Sequence, residues 1–324
     1  MIKKISAILL IVILISSLFF RNTFFRLYDG FRSAQISKER EKYYVIKDGS
    51  QITDITEILI SDKTIPADLK QPLISGERRI VIFKYPSDSQ IVAGYLSYLT
   101  KGTHPVMIFL RGGNGYYGIM RPNNRFSFLK GYNVVGTLYR GNIYGGQDEF
   151  GGADIQDVEN LLKYFPKLEA FSHIKLPLPY VMMGGSRGAM EMFISLSRSN
   201  YIKSRVNNAI SVSGNIDLNI SMKNRAEMRY LFESQFKNSQ SKSFEEWIKS
   251  RNPVDNAENL SKSLKVLLIY GAADNRVSLE EQQSFKRALD KEGIVSQLIV
   301  VPGANHGLDN NYKDLERIVI NFMR

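Results

Sequence analysis

Residues Val181-Met182-Met183-Gly184-Gly185-Ser186-Arg187-Gly188 form a G-x-S-x-G stretch. A short apolar run ends in glycine, a serine sits on the turn, and helix-forming residues follow. The pattern describes a strand that reverses sharply into a helix with Ser186 at the apex. Such an apex is strained and its neighbours pack close, so side chains at Gly184 and Gly188 would collide with the adjoining strand and helix. The turn pushes the serine hydroxyl out of the sheet, within reach of a base. The Arg187 backbone N–H opens the new helix and points to the same place. A plain strand-turn-helix link with an incidental serine gives the same local pattern. The remainder of the chain decides between the two, because catalysis also needs a base, an acid and a second oxyanion donor.

Outward from the elbow, strand signals begin at Arg79. Residues 80–85 and 91–98 flank the turn Pro86-Ser87-Asp88-Ser89 and read as a hairpin. Apolar runs at 106–110, 180–183, 266–270 and 298–301, with further strands at 132–139 and 209–212, are the mark of a sheet buried on both faces. Between them, Ile155, Val158, Leu161, Leu162 and Phe165 repeat at helical spacing behind Asp154. Residues 187–198 and 314–322 are further helices. Ser243 with Glu246, and Ser278 with Glu281, have capping-box spacing. The alternation of buried strands and helices predicts an α/β fold: a mostly parallel central sheet with helices on both faces and an antiparallel hairpin at one edge. The helical, polar stretch 221–251 is expected as an insertion roofing the active site.

Composition narrows the chemistry. The chain has 324 residues, 44% of them hydrophobic, enough to bury a sizeable core. Cysteine is absent, which excludes disulfides, thiolate catalysis and cysteine metal sites. The net charge is +11, but blocks of like charge are short and lysines alternate with acids. A solvated basic surface, or one beside an anionic membrane, fits this better than nucleic-acid binding. No metal site or cofactor pocket is suggested. Only His104, His173 and His306 are available to any histidine-dependent mechanism.

The first 25 residues read differently. Lys3 and Lys4 precede an apolar run over 5–20, interrupted only by serines 6, 16 and 17. Leu18, Phe19, Phe20 and Arg21 offer no A-x-A-like cleavage site, so 1–25 is expected to be an uncleaved signal anchor. That layout places the catalytic domain outside the cytoplasm; the alternative is a secreted or periplasmic protein after signal cleavage. Residues 26–78 are polar and mixed, and read as a stalk and N-terminal extension, with Thr64-Ile65-Pro66 and Gln71-Pro72 as loops. Residues 79–324 are the catalytic domain.

In an open α/β sheet, reactive groups gather beyond the carboxyl ends of the strands. Ser186, Asp274 and His306 lie there in chain order. Serine is too weakly acidic to attack unaided, histidine can take its proton near neutral pH, and a carboxylate fixes the imidazole tautomer. His104 and His173 precede strands and so fall at the opposite end. Asp217 is the alternative acid. The oxyanion hole needs two backbone donors. One is Arg187 N–H; the other belongs to Gly113 or Asn114, in the glycine-rich loop after 106–110. Arg111 and Arg140 are candidate substrate contacts, although a structural ion pair serves equally well for Arg140.

These residues carry a resemblance. The chain resembles the α/β-hydrolase superfamily and, within it, the catalytic domain of the prolyl oligopeptidase (S9) family, over about residues 80–324. The segments are Leu110-Arg111-Gly112-Gly113, Tyr139-Arg140-Gly141-Asn142 with Phe150-Gly151-Gly152-Ala153-Asp154, Gly184-Gly185-Ser186-Arg187-Gly188, Asn252-Pro253-Val254, Ile269-Tyr270-Gly271-Ala272-Ala273-Asp274 and Pro302-Gly303-Ala304-Asn305-His306-Gly307. The resemblance implies Ser186 as nucleophile, Asp274 as acid and His306 as base. It differs from the family pattern at Arg111 and Tyr270, where histidine is usual, and at Asn252, where serine is. The large family members carry a β-propeller that admits only short peptides, and no propeller-sized segment is present here. The resulting expectation is a serine peptidase working through an acyl-enzyme. A carboxylesterase with the same triad is the alternative. A catalytically silent binding protein and a nucleic-acid binder are further alternatives that lack support from the triad or from any motif.

Overall fold

The computed structural model describes residues 42–44, 46, 49–113 and 125–323. The expected anchor at 1–25, the start of the stalk, and Asn114 lie outside them. Among the described residues no helix is long and apolar enough to cross a membrane.

The chain opens with β1 (Ile52–Asp54), α1 (Thr56–Ser61) and α2 (Ala67–Ile74), followed by the hairpin of β2 (Arg78–Ser87) and β3 (Gln90–Leu99). Strands β4 (Val106–Leu110) and β5 (Asn133–Thr137) precede helix α3 (Ile155–Ser172). Then come β6 (Tyr180–Gly185), α4 (Arg187–Arg198), α5 (Asn200–Lys203) and β7 (Val206–Val212). Three helices follow, α6 (Leu218–Asn224), α7 (Ala226–Lys237) and α8 (Phe244–Arg251), over the stretch read as helical in the sequence. The chain closes with β8 (Lys265–Gly271), α9 (Leu279–Lys291), β9 (Ser296–Val301) and α10 (Tyr312–Met323).

The strands form one sheet in the order β1-β2-β3-β5-β4-β6-β7-β8-β9. The first three pairings are antiparallel and every one from β5 to β9 is parallel. A strand covered on both faces is mostly apolar: β4 and β5 are buried throughout, and the polar ends of β5 are satisfied by Asn133 Oδ1 accepting from Leu99 N–H and by Thr137 Oγ1 beside Tyr85 OH. Period-two alternation sorts their side chains. Ile108, Leu110 and Met182 join a core shared with α3, α4 and α9 through Val158, Leu161, Phe193 and Phe285. Met107, Phe109, Val181 and Met183 face the opposite core, closed by Leu315 and Val319 of α10 with Ile55, Leu59 and Leu73. The chain turns back at β4, with β5 on one side and β6 on the other, and ligands bind outside the carboxyl ends at such a switch point.

Two local readings change. Residues 52–54 add a strand, β1, that extends the antiparallel edge beyond the hairpin. Gln71-Pro72 lies inside α2 rather than in a loop. Proline removes one helical hydrogen bond there, but buried Leu73 anchors the turn on the sheet, and Ser75 N–H still bonds Gln71 O at 3.0 Å. Helices α6 to α8 pack through Leu218, Met222, Phe232, Trp247 and Ile248 onto Met190 and Ile194 of α4 and onto Phe150, beside the elbow.

Candidate active site

Ser186 adopts φ 52° and ψ −121°, outside the regions open to ordinary L-residues. Its N–H bonds Val212 O at 2.9 Å and its carbonyl accepts from Asn215 N–H at 3.1 Å, so β7 and its following loop hold the apex. The flanking glycines are required by close approach. A Cβ on Gly188 would overlap the carbonyl of Leu110 at the end of β4, and one on Gly184 would overlap the backbone of Gly188. Tyr139, Ser186 and Ser213 all have positive φ, and they follow β5, β6 and β7. Strain therefore concentrates at one end of the sheet, where tertiary packing holds it.

Asp274 lies in the loop after β8, and His306 in the loop after β9. His306 Nδ1 is 2.8 Å from Asp274 Oδ2. Asp274 Oδ1 accepts from the N–H groups of Arg276 at 2.8 Å and Val277 at 3.1 Å. Burial pushes the Asp274 pKa up, but the His306 hydrogen bond and these backbone donors outweigh it and hold the carboxyl below its usual range. A carboxylate only accepts, so Nδ1 carries the proton and Nε2 keeps its lone pair. The two loops are stapled together: Ala272 N–H bonds Val301 O and Ala273 N–H bonds Ala304 O, each at 2.9 Å. A Cβ on Gly271 would overlap the backbone of Ala304 and Asn305. The His306 side chain is 20% exposed and that of Asp274 fully buried, so His306 alone of this pair reaches solvent.

The structure thus pairs Asp274 with His306. Ser186 Oγ is hydrogen-bonded to neither; in ligand-free serine hydrolases that contact is often long and tightens with substrate. Asp217 is committed elsewhere. It caps α6 through the N–H groups of Asn219 and Ile220, and accepts from Ser284 Oγ at 2.7 Å. His104 precedes β4 and bonds Lys101 O at 2.7 Å; His173 caps the C-terminus of α3 in a left-handed conformation. Both lie away from the carboxyl ends of the strands.

The loop after β4 reaches the elbow. A Cβ on Gly112 would sit 3.0 Å from Gly185 O and 3.1 Å from Ser186 Cβ, so only glycine lets this backbone lie so close. Gly113, with φ 74°, follows it. The Arg111 side chain faces inward and is 3% exposed. Its Nη2 and Nε donate to Leu138 O at 2.6 and 3.1 Å, and its Nη1 to Gly112 O at 3.1 Å and Gly113 O at 3.2 Å. It also lies over the Tyr139 ring, 4.8 Å from the centroid. Burial, and then the Arg187 charge, push its pKa down to about 10. The guanidinium is consumed by the loop, and a substrate contact is not what its geometry offers.

The same holds for Arg140. Its Nη2 meets Asp157 Oδ1 and Asp88 Oδ2, both at 2.8 Å, which makes it the structural ion pair of its two readings. The sequence signal missed was Asp157, one helical turn into α3, where a carboxylate inside an otherwise apolar face calls for a buried cation.

The residue after Ser186 differs from its sequence reading in a second way. Arg187 was singled out for its backbone N–H alone. Its side chain is 2% exposed and bonds Glu191 Oε1 at 2.8 and 2.9 Å, Asp154 Oδ2 at 2.5 Å, Asp148 Oδ2 at 2.6 Å and Gly113 O at 3.1 Å. Burial opposes its charge, but the three carboxylates raise its pKa well above the ordinary arginine value. Burial, and Asp154 beside it, push Glu191 well above the carboxylate range.

Comparison with known proteins agrees with this architecture. Residues 125–324, more than half of the chain, match the model of the prolyl oligopeptidase family. An acylamino-acid-releasing enzyme from Oryza sativa subsp. japonica is 23% identical over 279 residues, covering 78% of this chain and 35% of the relative. The chain therefore spans about a third of that relative's length. The acylaminoacyl peptidase of Pyrococcus horikoshii superposes with a TM-score of 0.59 at 19% identity, over 74% of this chain and 40% of that one. A Pyrococcus furiosus esterase superposes with a TM-score of 0.54 at 20% identity, over 75% of this chain and 88% of the esterase. These structures share the fold of the chain, which belongs to the prolyl oligopeptidase family.

Proposed function

We propose that Ser186, His306 and Asp274 form a catalytic triad that cleaves a peptide bond through an acyl-enzyme. The observation that carries this is the 2.8 Å contact between His306 Nδ1 and Asp274 Oδ2 at the sheet end occupied by the strained Ser186. His306 Nε2 takes the hydroxyl proton as Oγ bonds the substrate carbonyl carbon. The resulting oxyanion is received by the N–H groups of Arg187 and of Gly113 or Asn114. His306⁺ then gives its proton to the leaving amine as the carbon–nitrogen bond breaks. Water, deprotonated by the same imidazole, releases the acid and restores the serine. Asp274 stays ionised and stabilises the imidazolium.

A carboxylesterase uses the same atoms, with an alkoxide as leaving group. The fold match over 88% of an esterase chain supports this second reading. Hydrolysis of a dipeptide amide against a short acyl ester, with Ser186→Ala as control, separates the two. Esterase activity alone would overturn the peptidase reading. Loss of fluorophosphonate labelling in the Ser186→Ala protein, and in no lysine or tyrosine variant, identifies the nucleophile. We also propose residues 1–25 as the membrane anchor; recovery of the full chain in a carbonate-washed soluble fraction would argue against it.

A further inference from the structure

The oxyanion loop is held by buried charge. At Gly113 both flanking peptides are gripped from below: Gly112 O accepts from Arg111, and Gly113 O accepts from Arg111 at 3.2 Å and from Arg187 at 3.1 Å. A trans peptide carries its C=O and N–H on opposite sides, so pinning Gly112 O inward turns the Gly113 N–H outward. Pinning Gly113 O prevents the residue from rotating about its own backbone. The positive φ of Gly113 makes this restraint necessary, because glycine alone has wide rotational freedom there.

Arg187 does this with unusual thoroughness. Its guanidinium ties the β4 loop through Gly113 O, the 141–154 loop through Asp148 and Asp154, and its own helix through Glu191. The rings of Phe150 and Tyr139 lie 4.7 and 5.2 Å from the guanidinium. Burying a cation among three carboxylates is costly unless its geometry is well satisfied, and the planar five-donor fork of arginine satisfies it. All of this surrounds the residue whose backbone N–H opens α4 beside Ser186.

We propose that Arg187 is a positioning residue for the oxyanion hole. Its backbone supplies one donor, and its side chain holds in place the loop that supplies the other at Gly113. The inference rests on Ser186 being the nucleophile, and the test separates the two. Wild-type protein is first titrated with a fluorophosphonate; failure to label Ser186 overturns that underlying reading before any variant is made.

Given labelling, kcat and KM per titrated site are compared for wild type, Arg187→Met, Arg187→Lys and Asp148→Asn. Alongside, the affinity of a boronic acid, which forms a tetrahedral adduct on the serine, is measured. Loss of one oxyanion donor lowers kcat by about 100- to 1000-fold, and Arg187→Met is expected to approach the lower figure. KM stays within about threefold, because the ground-state carbonyl makes weaker use of the hole. Boronate affinity falls in step with kcat. Arg187→Lys recovers part of the loss, since a point charge reaches some but not all of the partners named above. Asp148→Asn keeps the guanidinium and weakens one tether, for a loss of about tenfold in kcat. A merely structural role would reduce the number of titratable sites and the melting temperature while leaving per-site kcat and boronate affinity unchanged. That outcome in Arg187→Met, or in Asp148→Asn should the former fail to fold, overturns the proposal.

Discussion

Asp157 grips Arg140 twice: one carboxylate oxygen takes the backbone N–H at 2.7 Å, and the other takes the guanidinium at 2.8 and 3.0 Å. The pair is sealed by Ser87 Oγ at 2.6 Å from Asp157 Oδ1. Breaking a buried pair by removing one partner leaves an uncompensated charge and costs about 3–5 kcal/mol. Arg140→Ala is therefore expected to lower unfolding free energy by about 3 kcal/mol, read by urea titration, with KM for any acidic or neutral substrate unchanged. A selective rise in KM at constant stability would restore Arg140 as a substrate contact.

Asp274→Asn removes the acceptor that sets the His306 tautomer. A loss of about 1000- to 10,000-fold in kcat is expected, with KM little changed. Asp217→Ala is its counterpart: the helix cap is lost for about 1 kcal/mol, and kcat stays within about threefold. Steady-state kinetics on both variants decide between the two acids.

The same carboxyl has a stability signature. Its pKa in the folded protein lies below the unfolded value, so the unfolded chain binds the proton first as pH falls. The stabilisation is complete above the unfolded pKa of about 4 and is lost as pH drops through the folded value. Asp274→Asn is expected to flatten that part of the acid-melting curve, followed by circular dichroism.

Glu281 works in the other direction. It is buried, accepts from Ser221 Oγ at 2.6 Å, and closes the capping box of α9 with Ser278. Burial pushes its pKa up to about 7. Between the unfolded value and about 7 the folded protein holds the extra proton, so stability declines as pH rises through this window and levels off above it. Glu281→Gln should abolish the slope; melting temperatures at pH 5 and 8 would then coincide more closely than in the wild type.

Gly188→Ala places a methyl group in the Leu110 carbonyl. Overpacking of this kind costs about 1–3 kcal/mol, and relief requires α4 to move off β4. Both thermal stability and fluorophosphonate labelling rate are expected to fall, because that movement carries Ser186 with it. Normal labelling at lowered stability would show that the elbow tolerates the shift.

What was legible in the sequence followed from strong local signals. The runs at 106–110 and 187–198 coincide with β4 and α4 because uniform burial or 3.6-residue periodicity leaves no competing register. Ser186, Asp274 and His306 stood out because each follows an apolar strand beside glycines, although β9, at the sheet edge, is buried only at Val301. Strand β1 has only three residues, too few for any periodicity, and acquires its conformation from pairing with β2. Pro72 argued for a loop, and only the tertiary anchor at Leu73 overrides it. The side chains of Arg111, Arg140 and Arg187 were opaque for a different reason. An arginine beside such a motif looks the same in sequence whether it faces substrate or interior, and most of the acidic partners come from other elements: Asp157 from α3, and Asp148 and Asp154 from a loop, with Glu191 alone on the helix of its arginine.

The staples between the β8 and β9 loops have one more consequence. Asp274 and His306 ride together on that side of the sheet, while Ser186 is bonded to β7 and the loop beyond it. The two assemblies meet along the β7–β8 seam, where Ser213 N–H bonds Ile269 O at 2.8 Å. The spacing between Ser186 and the Asp274–His306 pair therefore depends on main-chain contacts across this seam, while the pair itself is held within one side of the sheet.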